Sequence, residues 1–236
     1  MSNLIQLEIA DKVAIVRLNR PGARNAISRA LHAALNDAIT GLQDETSVAA
    51  IVLTGSGTAF SAGVDIKELE GNPSLVRTIG PRFAPLIASR KPVIGAINGP
   101  AYTGGLELAL ACDWLVASER ASFADTHVRL GLTPGWGLSL LLSEAVGSRR
   151  ARQMVTTCEP ISAATALDWG LVNEVVPHED LVDRAAAHAR AIAGNDARAV
   201  ETVLQTIAEQ RSTADASLWA IEARHWIDPT DRSNGI

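Results

Sequence analysis

The stretch from Asn98 to Asp113 follows the apolar run Val93–Ile97 and sets the pair Gly104-Gly105 between a short buried strand and an apolar helix. A glycine pair lets the chain turn such a corner without a Cβ in the way, and the first helical N–H groups are left without an intrahelical acceptor. Corners of this kind bind oxygen anions. Glu107 falls in the first helical turn, flanked by Leu106, Leu108, Ala109 and Leu110. It either complements the helix dipole or, half-buried beside an anion site, carries protons. The sequence leaves both readings open.

The rest of the chain supplies the frame for that corner. Leu4 to Ile9 and Val13 to Leu18 are roughly alternating β-branched runs separated by Asp11-Lys12, which predicts a hairpin, and Asn19-Arg20-Pro21-Gly22 breaks it. Ser28 caps a helical pattern carried by Leu31, Leu35, Ile39 and Leu42, and Val48 to Leu53 follows as a buried strand. A β-α-β order implies a parallel sheet. The theme returns from Val93: strand, helix Gly104 to Ala111, strand Trp114 to Ala117, and an extended piece at Ser122 to Ala124. Beyond Trp136 the pattern is almost wholly helical, with breaks at Gly147, Gly170 and Gly194 and one apolar strand at Leu171 to Val176. Two one-faced helices, Asp196 to Gln210 and Asp215 to Ile227, carry Trp219 and Trp226 and need a surface to cover. We expect an α/β core over residues 1–193 and a C-terminal helical oligomerisation region over 194–236, with a last element cut short.

With 236 residues and 47% hydrophobic content, the chain is able to bury a substantial core. A net charge of -5 with scattered Lys and Arg offers no basic field for nucleic acid. The N-terminal residues lack a basic region followed by an apolar core, and no apolar run is long enough to cross a bilayer, so a cytoplasmic protein that does not engage membranes is expected. Cys112 and Cys158 lie in apolar helical patterns with no CxxC partner and no His at metal spacing. They read as small packing residues, and no metal site is expected.

A second glycine-rich corner, Thr54 to Glu68, follows the strand Val48 to Leu53. Two such corners are able to set two N–H donors side by side as an oxyanion hole, where each donor is worth roughly 3 to 4 kcal/mol of transition-state stabilisation. Sharper motifs fail. Gly55-Ser56-Gly57 begins like a dinucleotide fingerprint, but Phe60 stands where the third glycine belongs, and there is no Gly-Lys-Ser/Thr phosphate loop, no G-x-S-x-G elbow and no HExxH.

The segments Asn19-Arg20-Pro21 with Arg24-Asn25-Ala26, Phe60 to Glu68, Lys91-Pro92-Val93-Ile94 with Asn98-Gly99, Gly104 to Ala109, Gly131-Leu132-Thr133-Pro134-Gly135 and Trp169 to Asn173 together resemble the crotonase superfamily of enoyl-CoA hydratases and isomerases, in order and spacing, from Leu4 to about Ala193. The resemblance implies a (ββα)n spiral core with a helical C-terminal region, commonly assembled as homotrimers or pairs of trimers. It implies an acyl-CoA thioester substrate, with coenzyme A entering as part of it and no separate cofactor. The thioester oxygen would sit between the amides of Val64 and Gly104 and carry the charge of an enolate. Arg24, Ala26, Ala62, Asp65, Ile66 and Lys67 would line the CoA path, and Glu107 matches the first of two catalytic glutamates.

The second glutamate is where the chain departs. In Phe123-Ala124-Asp125-Thr126-His127, the histidine occupies its place. His127 is able to shuttle a proton, since an unperturbed imidazole titrates near 6.5, or it merely hydrogen-bonds Glu107 or a carbonyl. Asp125 is a weaker substitute carboxylate. Loss of the second glutamate argues against isomerisation and for hydration led by Glu107. Trp136, in the turn after Pro134-Gly135, either anchors the start of a helix or shortens the acyl pocket. Alternatives are another enolate reaction on acyl-CoA, such as hydrolysis, decarboxylation or dehalogenation, and an acyl-CoA binding protein without turnover.

Overall fold

The computed structural model describes residues 4–71 and 83–224, the side chains of 69–71 and 210–223 excepted. It opens with the expected hairpin. β1 (Ile5–Ala10) and β2 (Val13–Leu18) pair antiparallel in the register Ile5↔Leu18 to Ala10↔Val13. Asp11 and Lys12 both take positive φ, 51° and 62°, the two-residue turn whose twist matches that of the flanking strands. Ser28 then caps α1 (Arg29–Gln43), its hydroxyl accepting from Leu31 N, and Leu31, Leu35, Ile39 and Leu42 form the buried stripe.

β3 (Ala50–Gly55) runs parallel to β2 and is buried along its whole length. A strand with both faces covered has no polar side to show, hence the apolar run Ala50 to Leu53, and the one hydroxyl, on Thr54, donates to Ala96 O. β4 (Val93–Ile97) and β6 (Trp114–Ser118) extend the parallel sheet, and the final strand, β9 (Glu174–Val176), closes it in the order β1-β2-β3-β4-β6-β9. A small second sheet orders β5 (Ala101–Tyr102), β7 (Ser122–Ala124) and β8 (Ile161–Ser162) as β5-β7-β8. Between these strands lie α2 (Ile66–Gly71), α3 (Ala84–Ile87), α4 (Gly104–Leu110), α5 (Leu138–Val146), α6 (Ser148–Thr157), α7 (Ala163–Trp169), α8 (Leu181–Ala193) and α9 (Ala197–Arg224).

Two cores sandwich the large sheet. On one face α1, α4 and α5 bury Leu31, Leu106 and Leu138 with Val16, Leu53 and Ile97; on the other, Leu181, Ala185 and Ala189 of α8 cover Val13, Val52, Ile94 and Val116. Each large aliphatic side chain fully removed from water contributes about 1.5–3 kcal/mol. Cys112 and Cys158 are buried and unbridged, as expected, and burial pushes the Cys112 thiol above its usual range, as does the nearby Asp113 carboxylate.

The C-terminal third differs from expectation in three places. The strand expected over Leu171 to Val176 begins only at Glu174, because Leu171 N and Val172 N both return to Ala166 O and finish α7. β8 interrupts the helical run. The two helices expected over 196–227 form a single α9, started by Asp196, whose Oδ1 accepts from Ala199 N at 2.8 Å; residues 211–214 hold neither glycine nor proline to break it. The side chain of Trp219 and all of Trp226 lie outside the described residues.

Candidate active site

The parallel strands β2, β3 and β4 end side by side, with Leu18 opposite Gly55 and Thr54 opposite Ala96, so the loops that follow leave from one edge of the sheet. In open α/β sheets this carboxyl edge is where ligands bind. Buried amide side chains fasten the loops together. Asn25 donates through Nδ2 to Ser56 O and Ala59 O, and its Oδ1 accepts from Arg20 N. Asn98 accepts from Gly55 N and donates to Gly57 O.

This fastening fixes one amide. Ile27 forms a parallel bridge with Val64: its N donates to Gly63 O at 2.7 Å and its O accepts from Asp65 N at 3.1 Å. Alternation along an extended chain then turns the Val64 N–H to the opposite edge, away from Ile27. That edge faces α4.

The second amide belongs to Gly104, the first residue of α4, whose N–H has no intrahelical acceptor. Thr103 before it takes φ 55° and ψ -116°, a strained conformation for a β-branched residue, of order 1–3 kcal/mol. Three contacts hold it there: Thr103 N to Ala124 O at 2.8 Å, Thr126 N to its Oγ1 at 3.3 Å, and the Thr103–Thr126 hydroxyl pair at 2.7 Å. The glycine pair is explained by close approach. A Cβ on Gly105 would collide with the Ser61 carbonyl oxygen, and a Cβ on Gly104 would lie 3.4 Å from Val64 N and 2.8 Å from Cζ3 of Trp136. Val64 and Gly104 therefore present neighbouring amides, and neither donates to an acceptor among the described residues.

Glu107 stands one turn into the same helix and is 1% exposed. Its Oε1 accepts from the main-chain N of Trp136 at 3.0 Å. The Trp136 indole is buried, overlies Gly104 and meets Phe83 edge-on at 5.8 Å. Trp136 is thus a packing anchor, and its ring also takes up space beside the paired amides.

His127 lies just past β7, which pairs in parallel with β5 in the register Tyr102↔Ala124, so its loop runs beside the start of α4. Its Nδ1 is 2.6 Å from Oδ1 of Asp125, and its own N donates to the same oxygen at 3.2 Å. Asp125 is fully buried and His127 is 5% exposed. The sequence treated Asp125 as a rival for the second carboxylate position on an extended segment. The structure instead turns the chain, His127 adopting φ -55° and ψ -52°, and joins the two residues as a pair.

The residues expected along the CoA path come together on two hydrogen-bonded segments: Ala62 N donates to Arg24 O, and Ile27 and Asp65 bond as described. Arg24, Ala62, Ile66 and Lys67 are exposed there, and Ala26 is half-buried. Asp65 is engaged from within the protein. Its Oδ2 meets Arg20 Nη2 at 2.9 Å, while Arg20 Nη1 donates to Ala26 O at 2.6 Å. Partial burial alone would raise the Asp65 carboxyl, but the hydrogen bond from Arg20, backed by main-chain donors, holds it below its ordinary value.

Sequence reasoning did not find Thr103, the Trp136 amide or the joining of Asp125 to His127. Only the last had a signal, the Asp-x-His spacing. Among the described residues no group of three or more His, Cys, Asp or Glu side chains is arranged to hold a metal, and no helix is long and apolar enough to cross a membrane.

Fold and site define a class: an α/β protein with two neighbouring main-chain amides and a buried glutamate at the start of α4, and a buried Asp–His pair in the loop that Thr126 ties to Thr103 before that helix. A family model described as enoyl-CoA hydratase/isomerase matches residues 8–234. A probable peroxisomal enoyl-CoA hydratase of Arabidopsis thaliana is 40% identical over 200 residues, spanning 82% of this chain and 74% of its own length. Crystal structures of enoyl-CoA hydratases from Mycobacterium tuberculosis and Mycobacterium avium superpose with TM-scores of 0.87 and 0.90 at 43% and 42% identity; they cover 93% and 99% of this chain, which covers 96% and 100% of theirs. The chain belongs to the enoyl-CoA hydratase/isomerase family of the crotonase superfamily.

Proposed function

We propose that this protein hydrates 2,3-unsaturated acyl-CoA thioesters. The observation that carries the reading is the adjacency of the Val64 and Gly104 amides above a glutamate buried one helical turn away. The thioester oxygen accepts from both amides. Water adds through oxygen to C3 as Glu107 takes its proton, and the electron pair of the alkene moves toward the thioester, building enolate charge on the oxygen the amides hold. His127, in the place of the second family glutamate and starting as the imidazolium, gives a proton to C2, and both groups regain their starting protonation by exchange with solvent as the product leaves. Coenzyme A arrives as part of the substrate, along the Arg24–Ala26 and Ala62–Lys67 segments, and the chemistry needs no further cofactor.

The test is loss of the enoyl absorbance of crotonyl-CoA. The wild type turns over, and Glu107→Gln loses about 100-fold or more, the range expected for removing an acid-base group. An undiminished rate in that variant overturns the mechanism, and mass spectrometry of the product separates hydration from hydrolysis, decarboxylation and mere binding. We further assign the protein to the cytoplasm, working as a homotrimer or a pair of trimers.

A further inference from the structure

We propose that Asp125 is the positioning residue of His127: it fixes the ring so that Nδ1 is committed and proton exchange with the acyl group runs through Nε2 alone. The inference deepens the hydratase reading above and rests on it for the word acyl; the pairing itself rests only on geometry.

An imidazole flanked by solvent samples both tautomers and rotates about its side-chain bonds. Here Oδ1 of a fully buried carboxylate takes Nδ1 at 2.6 Å and the His127 main-chain N at 3.2 Å, so one oxygen anchors both ring and backbone. The backbone is locked on its other side as well, His127 O accepting from Leu130 N and Leu132 N at 2.9 and 3.0 Å. A carboxylate so placed selects the Nδ1–H tautomer and favours the imidazolium, the two services a general acid needs from a neighbour. Titratable side chains on the surrounding segments make contacts of their own. Glu107 on α4 accepts from Trp136 N, Tyr102 on β5 meets Ser122 Oγ at 3.1 Å, and Arg129 donates to Cys158 O at 3.1 Å.

Substitution Asp125→Asn keeps the shape and removes the charge. Nitrogen-15 NMR of the imidazole in the full-length wild type is expected to show the Nδ1–H tautomer, and in Asp125→Asn an apparent His127 pKa lower by about one unit or more, the usual effect of losing an opposite charge at contact. The alkaline limb of the kcat/KM profile for crotonyl-CoA moves to lower pH by the same amount. In a His127→Gln background, Asp125→Asn has no further effect on kcat. An Nε2–H tautomer in the wild type, an unmoved His127 titration, or an equal loss of kcat in both backgrounds overturns the proposal. If the wild type fails to turn over crotonyl-CoA, the hydratase reading fails while the NMR measurement still decides the role of Asp125.

Discussion

A methyl group added at Gly105 points at the carbonyl oxygen of Ser61, a main-chain atom that is itself held by Tyr102 N at 3.0 Å. Neither partner is able to swing aside. At Gly104 the added methyl meets the edge of the Trp136 indole, a side chain rather than a main-chain atom. We therefore expect Gly105→Ala to lower kcat/KM for crotonyl-CoA by about 100-fold or more, as for loss of one oxyanion donor, and to destabilise the fold by about 1–3 kcal/mol through overpacking. Gly104→Ala should cost activity with a smaller drop in melting temperature. Wild-type kcat/KM in Gly105→Ala would show that the approach of α4 to Ser61 does not set the amide pair. At this scale the glycine corner was legible from sequence: Gly104 does open α4, with Glu107 in its first turn. The strain at Thr103 was not, because no property of threonine announces a positive φ; only the surrounding hydrogen bonds impose it.

Between elements, the Arg20–Asp65 clamp ties the loop after β2 to the start of α2 through a carboxylate with side-chain exposure of 13%. The folded-state pKa of Asp65 is lowered, so its contribution to stability is present above the unfolded carboxylate value near 3.9 and is lost as pH falls through the lower folded value. A pair of this exposure is worth about 1 kcal/mol or less. Asp65→Asn should melt about 2–4 °C or less below the wild type at pH 7, with the gap closing toward pH 3; a gap independent of pH would remove the charge from the argument. The resemblance implied Asp65 along the path of the coenzyme; the structure shows it holding Arg20, a contact 45 residues away in sequence that local pattern cannot reveal. Secondary structure was legible where periodicity was strong, as in α1, and failed where a turn motif replaced it, as in Leu171-Val172 after α7.

Over the whole molecule, helices cover both faces of the large sheet, while α9 leaves Val203 and Ile207 58% and 59% exposed, one turn apart. Apolar side chains at that spacing form the start of a stripe that a second chain is able to cover. Mass photometry is expected to find three or six chain masses, and a monomer at micromolar concentration would overturn the assembly. Parallel sheet order followed from the β-α-β pattern, yet the second sheet was missed, since strands of two or three residues carry too few side chains to show a period of two. On the function proposed above, the seat for the substrate oxygen is made of two peptide groups, those of Val64 and Gly104. Such a seat depends on where the backbone runs, which Gly104 and Gly105 secure, rather than on the chemistry of Glu107, Asp125 and His127. On that reading, divergence within this architecture alters proton transfer, with His127 in the place of the second family glutamate as the case in point, and leaves the amides that face the thioester in place.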